Sequence, residues 1–141
     1  MRRYLVVANQ PLGGEHHEAT VRECMAGGPC EFHLVVPATP PQDHATWVEG
    51  EAKVLARERL DAALARFREM GARADGEVGD ARPLGAIGDA VRHAQFDEII
   101  LSTLPPGPSR WLRMDLPHRV DRQFGIPVSH VIDQRVPIET G

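Results

Sequence analysis

Cysteine and long apolar runs are both scarce in this chain of 141 residues. The two cysteines, Cys24 and Cys30, are too few for a disulfide-stapled secreted scaffold, and their spacing matches neither a redox pair nor a zinc knuckle. No stretch approaches the roughly 18 apolar residues of a membrane span, and the first apolar run, from Tyr4 to Ala8, is shorter than a signal-peptide core. We therefore expect a cytoplasmic protein with reduced, buried cysteines and no membrane association.

Lysine is nearly absent as well. All but one of the 16 basic residues are arginine, and the exception is Lys53. This excludes any mechanism that needs a lysine elsewhere, including the Walker A phosphate loop. The 20 acidic residues outnumber the basic ones, and a formal charge of −4 lacks the basicity of a typical nucleic-acid binder. Nucleic acid is therefore not an expected partner.

Two catalytic or cofactor motifs are missing from the sequence. There is no G-x-G, which excludes the dinucleotide fingerprint, and no G-x-S-x-G nucleophile elbow. The serines that fall near predicted strand ends have no recognisable catalytic setting, and they are Ser102, Ser109 and Ser129. We therefore expect a protein without enzymatic activity.

Histidines suggest a metal site at first sight, especially in the segment Glu15-His16-His17-Glu18. Adjacent histidines on a helix point about 100° apart, so these two cannot chelate one ion as an i, i+4 pair would. His33 and His130 fall within predicted strands, where an imidazole is expected to satisfy buried or interfacial hydrogen bonds. No metal site is expected.

Apolar periodicity divides the chain into five strands and four principal helices. Continuous apolar runs predict three buried strands, and mixed runs predict two edge strands. The buried strands are 3–9, 31–37 and 98–102, and the edge strands are 72–78 and 127–133. Helices are predicted at 15–25, 47–70 and 83–95, and another between the capping residue Asp115 and Gly125. A short helical turn is also expected at 109–114, because Pro117 suits the first turn of a new helix better than a helix interior.

This alternation of strands and helices predicts a single α/β domain over residues 1–141. It implies parallel β-α-β units with right-handed crossovers and helices on both faces of the sheet. With the mixed strands at the edges, the five-stranded parallel sheet takes the order 3-2-1-4-5. Ligands bind such sheets outside the carboxyl ends of the strands, where the strand order reverses, which is here between strands one and four.

Two loops meet at this reversal point, 9–14 and 102–109. The candidate ligand-site residues there are Asn9, Gln10, Pro37, Ser102, Thr103, Ser109, Arg110 and Asp115. The segment 109–125 carries a local charge of +2, from four arginines and two aspartates, and Arg110 and Arg113 could clamp an anion bidentately. The alternative is that these arginines form a solvated helix face. Lys53 is expected to lie away from this crevice.

Several segments resemble the universal stress protein family in order and spacing. They are YLVVAN at the start, GDARPLGAI at 79–87, the run 96–120 and GIPVSHV at 125–131. The resemblance covers nearly the whole chain and implies a small cytoplasmic protein with the three-layer, flavodoxin-like fold that the adenine nucleotide α-hydrolase-like group shares. It also implies a homodimer, with Val128 to Ile132 as a plausible pairing edge, and a crevice that binds ATP in many members.

The sequence departs from the ATP-binding members of that family. Their motif G-x2-G-x9-G-[ST] aligns here with Ser102, Pro105, Met114 and Asp115, one residue short. Proline removes an amide donor, Met114 adds a side chain where backbone must approach, and Asp115 puts a carboxylate where a phosphate would bind. The aspartate usual at the end of the first strand is Asn9.

These departures favour a non-catalytic, universal-stress-protein-like domain in which conventional ATP binding is impaired or lost. A first alternative keeps ATP, AMP or another anion as the ligand, with a divergent phosphate site formed by Arg110 and the pair Ser102 and Thr103. A second alternative is a small-molecule enzyme of the adenine nucleotide α-hydrolase-like group, for which the sequence offers no acid, base and nucleophile set.

Overall fold

Five strands and four helices alternate along the part of the chain that the computed structural model describes, which is residues 1–8, 15–38, 49–80, 82–103 and 116–132. In chain order the elements are β1 (Arg2–Ala8), α1 (Glu15–Ala26), β2 (Cys30–Pro37), α2 (Glu49–Glu69), β3 (Arg73–Gly79), α3 (Pro83–His93), β4 (Glu98–Thr103), α4 (Leu116–Phe124) and β5 (Val128–Ile132). The predicted elements are present and shifted by one or two residues at their ends. The helical turn predicted at 109–114 lies outside the described residues.

All five strands are parallel and form one sheet in the order β3-β2-β1-β4-β5. This confirms the order predicted from the apolar runs. The continuously apolar strands β1, β2 and β4 occupy the middle because helices cover both of their faces, whereas the mixed strands β3 and β5 each have one neighbour. Both sheet edges are therefore the more polar strands.

The core lies in two layers, one on each face of the sheet. Successive residues of a strand point to opposite faces, so Tyr4 and Val6 of β1 join one layer while Leu5 and Val7 join the other. The first layer is completed by α1 and α2, with Val21, Ala52, Leu60 and Phe67 buried against the sheet. The second is completed by α3 and α4, with Ala86, Ile87, Leu116 and Val120. The architecture is the predicted three-layer α-β-α arrangement.

Aromatic residues are few, but three of them pack together in the first layer. The rings of Tyr4 and Phe32 are stacked with centroids 5.3 Å apart. Phe67 meets Phe32 edge to face at 5.4 Å. Because Tyr4, Phe32 and Phe67 belong to β1, β2 and α2, this cluster fixes the long helix against the two central strands.

Two glycines end helices as the sequence predicts. Gly71 follows α2 with a φ of 86°, and Gly125 follows α4 with a φ of 65°. These left-handed conformations favour glycine. After α2, Ala72 donates its N–H to the carbonyl of Phe67 at 3.0 Å, which is the closing bond of a Schellman motif. The chain is thereby turned directly from α2 into β3.

The two cysteines are free thiols, as predicted, but they are half-buried rather than fully buried. Burial raises the pKa of both, so neither thiol is activated. None of the described helices is both long enough and apolar enough to cross a membrane.

The buried face of α2 provides a direct test of the first core layer. Leu60 is completely buried, whereas Val54 on the same helix is 61% exposed. We expect Leu60→Ala to lower the free energy of unfolding by about 2 to 5 kcal/mol, because it leaves a cavity between α2 and the sheet. Val54→Ala, the control, should change it by less than about 0.5 kcal/mol. Urea denaturation followed by circular dichroism measures both, and equal effects would contradict the packing described.

Candidate functional site

The carboxyl ends of the strands form the edge where the predicted crevice lies. Ala8 at the end of β1 is paired with Ser102 on β4, and β2 flanks β1 on its other side. The connections from β1 and from β4 run to opposite faces of the sheet, since α1 packs in the first layer and α4 in the second. The structure therefore places the strand reversal between β1 and β4, as predicted.

Three of the eight predicted ligand-site residues lie in the described part of this edge. Ser102 is only 3% exposed, so its hydroxyl lies beneath the edge rather than on it. Thr103 is paired with Ile132 of β5, and Pro37 is paired with Gly79 of β3. The other five fall outside the described residues, and they are Asn9, Gln10, Ser109, Arg110 and Asp115.

The hydrogen bonding between β2 and β3 continues beyond the end of β2. Ala38 donates its N–H to the carbonyl of Gly79 at 3.1 Å, which extends the ladder one residue past Pro37. A Cβ on Gly79 would lie 2.8 Å from Cβ of Ala86 and 2.9 Å from Cγ1 of Val35. Glycine is thus required for α3 to pack against the sheet at this point.

The turn after β3 is organised by Asp80. Its Oδ1 accepts the backbone N–H of Arg82 at 2.8 Å, and the Arg82 Nε lies 3.6 Å from the same oxygen. The backbone hydrogen bond, together with the nearby guanidinium, lowers the pKa of Asp80. A carboxylate at this position also lies favourably near the amino end of α3.

A cavity of about 720 Å³ opens beside this turn, at the carboxyl ends of β2 and β3. Three cations and two carboxylates line it beside a larger area of apolar surface. The lining residues are Ala38, Lys53, Arg57, Val78, Gly79, Asp80, Arg82 and Asp89. Lys53, which the sequence suggests is remote from the crevice, is at the same edge of the sheet. The start of α2 lies over the ends of β2 and β3, and no described lining residue of this cavity belongs to β1 or β4.

Ion pairs already engage much of this charge. The Nε of Arg57 lies 3.4 Å from Oδ1 of Asp61, one helical turn further along α2. Arg82 forms an ion pair with Asp80, and Asp89 forms one with Arg92. The lining keeps a formal excess of one positive charge, from three cations and two carboxylates. Such a lining suits a small anionic group, whose oxygens would compete with the exposed carboxylates for the arginines.

Sequence reasoning missed the α2 residues of this cavity. Lys53 and Arg57 are not among the apolar positions that predict the long helix, and nothing local indicates which strand ends the helix crosses. The turn at Gly79 and Asp80 is the part of this cavity that the sequence does indicate. Glycine followed by aspartate marks a tight turn, because the aspartate side chain can accept a hydrogen bond from the backbone two residues further on.

Metal ligation has no support in the described ranges. They contain no group of three or more histidine, cysteine, aspartate or glutamate side chains arranged to hold an ion.

Comparisons with known proteins find likeness in fold rather than in sequence. No family model matches the chain, and no curated protein matches it. A universal stress protein from Archaeoglobus fulgidus superposes with a TM-score of 0.59 over 93% of this chain and 94% of that chain, at 19% identity. A protein from the universal stress protein family of Burkholderia pseudomallei superposes with a TM-score of 0.53 over 90% and 93%, at 15% identity.

These matches establish the class to which the fold belongs. The chain has the α/β, flavodoxin-like architecture of universal stress proteins, over nearly its whole length and theirs. The resemblance predicted from short sequence segments is confirmed at the level of the fold.

The close approach at Gly79 yields a prediction for this edge. Gly79→Ala should lower the free energy of unfolding by about 1 to 3 kcal/mol, because the added methyl group meets Ala86 and Val35 in a packed layer. Gly27→Ala is a matched control, since its Cβ would meet nothing closer than the carbonyl oxygen of Cys24 at 3.5 Å. Thermal and urea unfolding measure both variants. Equal stability of the two would show that α3 does not approach the sheet this closely.

Proposed function

We propose that this chain is a non-catalytic, universal-stress-protein-like protein of the cytoplasm whose crevice does not bind ATP in the manner usual for that family. The observation that carries the proposal is the superposition on universal stress proteins over more than nine-tenths of both chains. Two free cysteines are consistent with a reducing compartment.

The case against conventional ATP binding comes from the residues that would form the phosphate loop. Pro105 lacks the amide that a glycine would offer, and Asp115 adds negative charge where a phosphate would sit. Ser102, at the first glycine position, is buried beneath the sheet edge. In this alignment a bound phosphate would lose a backbone donor and meet a carboxylate.

The settings of two serines support the absence of catalysis. Ser102 is 3% exposed, which leaves its hydroxyl little access to a substrate. Ser129 donates a hydrogen bond to Glu98, whose other carboxylate oxygen lies 3.4 Å from Arg2. This group lies towards the amino end of the sheet, away from the edge where such folds bind ligands.

A second candidate function is an adenine-nucleotide or other anion receptor with a divergent site. The cavity at the ends of β2 and β3 favours it, because Lys53, Arg57 and Arg82 line it together. In that case the anion would be held by side chains rather than by a glycine-rich loop. The other location for it is the divergent site predicted from the sequence, formed by Arg110 and the pair Ser102 and Thr103.

Nucleotide titration separates the two functions. We expect ATP, ADP and AMP, with and without magnesium, to leave the melting temperature of the purified chain unchanged, because a ligand that does not bind the native state cannot stabilise it. A dose-dependent rise of several degrees would contradict the non-binding proposal. Loss of that rise in Arg110→Ala would place the ligand at the loop after β4, and loss in Lys53→Ala would place it in the cavity.

We also propose a homodimer formed through the edge strand β5. Ile99 donates its N–H to the carbonyl of Pro127 at 2.8 Å and is paired with Val128. Since alternate residues of a parallel strand bond to a given neighbour, the backbone groups of Val128, His130 and Ile132 point away from β4. They face the outer side of the sheet, which is the side on which a second copy would pair.

The dimer proposal predicts a specific effect of proline. His130→Pro removes an outward amide without removing a bond to β4, so it should convert a dimer of twice 15.5 kDa into a monomer. His130→Ala keeps the amide and should remain dimeric. Light scattering coupled to gel filtration measures the masses. A monomeric parent chain, or a proline variant that stays dimeric, would exclude this strand as the interface.

A further inference from the structure

A histidine on β2 is held between two carboxylates of the neighbouring edge strand. His33 Nδ1 lies 2.9 Å from Oδ1 of Asp75, and Nε2 lies 2.9 Å from Oε2 of Glu77. Asp75 is directly opposite His33 in the β2–β3 register, and Glu77 lies two residues further on the same face. A single imidazole therefore joins β2 to two positions of β3.

Proton counting shows which form of His33 fits this geometry. A neutral imidazole has one N–H donor and one acceptor nitrogen, whereas an imidazolium has two donors. The side chains of Asp75 and Glu77 are 76% and 52% exposed, and contact with water favours their ionised, acceptor-only form. Both contacts are satisfied together only when His33 carries two protons.

The surroundings of His33 contain further charges. From β1, Arg3 lies over the Phe96 ring at 5.2 Å, and its Nε is 2.8 Å from Oε1 of Glu31 without hydrogen-bonding alignment. Phe96 is stacked on His33, with ring centroids 5.9 Å apart. Glu31 offsets the positive charge of Arg3, and an aromatic face favours a cationic imidazole.

The other charged residues near His33 lie towards the amino end of the sheet, whereas the buried residues of α3 are apolar. Asp97, before β4, accepts the backbone N–H of Arg3 at 2.8 Å. Arg68 of α2 and Arg73 of β3 line the same 400 Å³ cavity as His33 at the amino end of the sheet. The buried residues of α3, which packs against β2 and β3, are apolar, and they are Pro83, Ala86, Ile87 and Ala90.

The balance of these effects favours the charged form. Burial lowers the pKa of His33, but the hydrogen bonds to Glu77 and Asp75 and the charges of both carboxylates more than offset it, and the net pKa is raised above 6.5. Because the folded pKa exceeds the unfolded one, the stabilisation is fully present below about pH 6.5. It is lost as the pH rises through the folded pKa.

We propose that His33 is a proton-operated latch that holds edge strand β3 against β2 when it is protonated and loosens it when it is neutral. When the imidazolium loses a proton, one of its nitrogens presents a lone pair to a carboxylate, and one of the two links becomes repulsive. β3 ends at Gly79, and Gly79 and Asp80 line the cavity at the carboxyl edge. The latch therefore makes the stability of β3, whose end lines that cavity, depend on pH near neutrality. This holds whether or not ATP binds.

The titration of the ring tests the chemical part of the latch. Side-chain NMR of the full chain should show His33 titrating with a midpoint above 6.5, and its resonance is assigned by its loss in His33→Gln. Asp75→Asn and Glu77→Gln should each lower the midpoint. Asp61→Asn, which removes an exposed carboxylate of α2 that pairs with Arg57, should not. His130, whose burial lowers its pKa, is an internal reference that should titrate below 6.5.

Hydrogen exchange tests the structural part. Protection factors, which remove the intrinsic effect of pH, should fall for the β3 amides as the pH rises through the His33 midpoint. The fall should reach up to about tenfold for each pH unit between the folded and unfolded midpoints. Amides of the other edge strand, β5, should not change, and His33→Gln should abolish the change in β3.

Either of two results would overturn the latch. One is a His33 midpoint at or below 6.5, or a midpoint that neither Asp75→Asn nor Glu77→Gln lowers. The other is β3 protection that stays constant across the midpoint, or that changes equally in β5 and in His33→Gln.

Discussion

Burial of a parallel sheet on both faces is the constraint from which the rest of this structure follows. Each central strand must supply apolar side chains to two layers at once, which is why β1 contributes Tyr4 and Val6 to one core and Leu5 and Val7 to the other. Helices must then cross from one strand to the next on both sides. With the faces covered, ligands and partners can reach the sheet only at its ends and its edges.

The two edge strands meet this constraint in different ways. The residues of β3 that share a face with His33, namely Arg73, Asp75 and Glu77, are exposed and charged. Charges on an edge discourage pairing with other chains. His33 then stands at the boundary between the apolar layer and these charges, and its imidazole links them to the neighbouring strand. The more apolar β5 keeps outward backbone groups, which makes it the better candidate for pairing with a second copy.

The sequence predicts the elements and their order because those signals are local or depend on composition. The middle of β4, Ile99 to Leu101, is apolar throughout, and Gly71 and Gly125 mark helix ends by their own conformations. Contacts across the sheet leave no such mark. The partners of His33 are 42 and 44 residues away, and no periodicity connects them. The position of Lys53 in the cavity at the ends of β2 and β3 was not predicted for the same reason, since its helix gives no local sign of the strand ends that it crosses.

The site is a weaker inference from sequence than the fold, because it depends on loops where several segments converge. Ser102 shows the difference: the sequence correctly places it at the carboxyl end of β4, while its burial is visible only once the layers are assembled. Structural likeness to universal stress proteins extends over the whole sheet. The proposal that this chain does not bind ATP in the usual manner depends instead on the identity of a few residues in the sequence after β4.

The most direct test of that separation is an ATP titration followed by the backbone amide resonances at the ends of β1 and β4, those of Ala8, Ser102 and Thr103. The account predicts that these resonances stay in place at millimolar ATP with magnesium. Saturable shifts centred on these three amides would contradict it and would show that the crevice binds ATP without the glycine-rich loop.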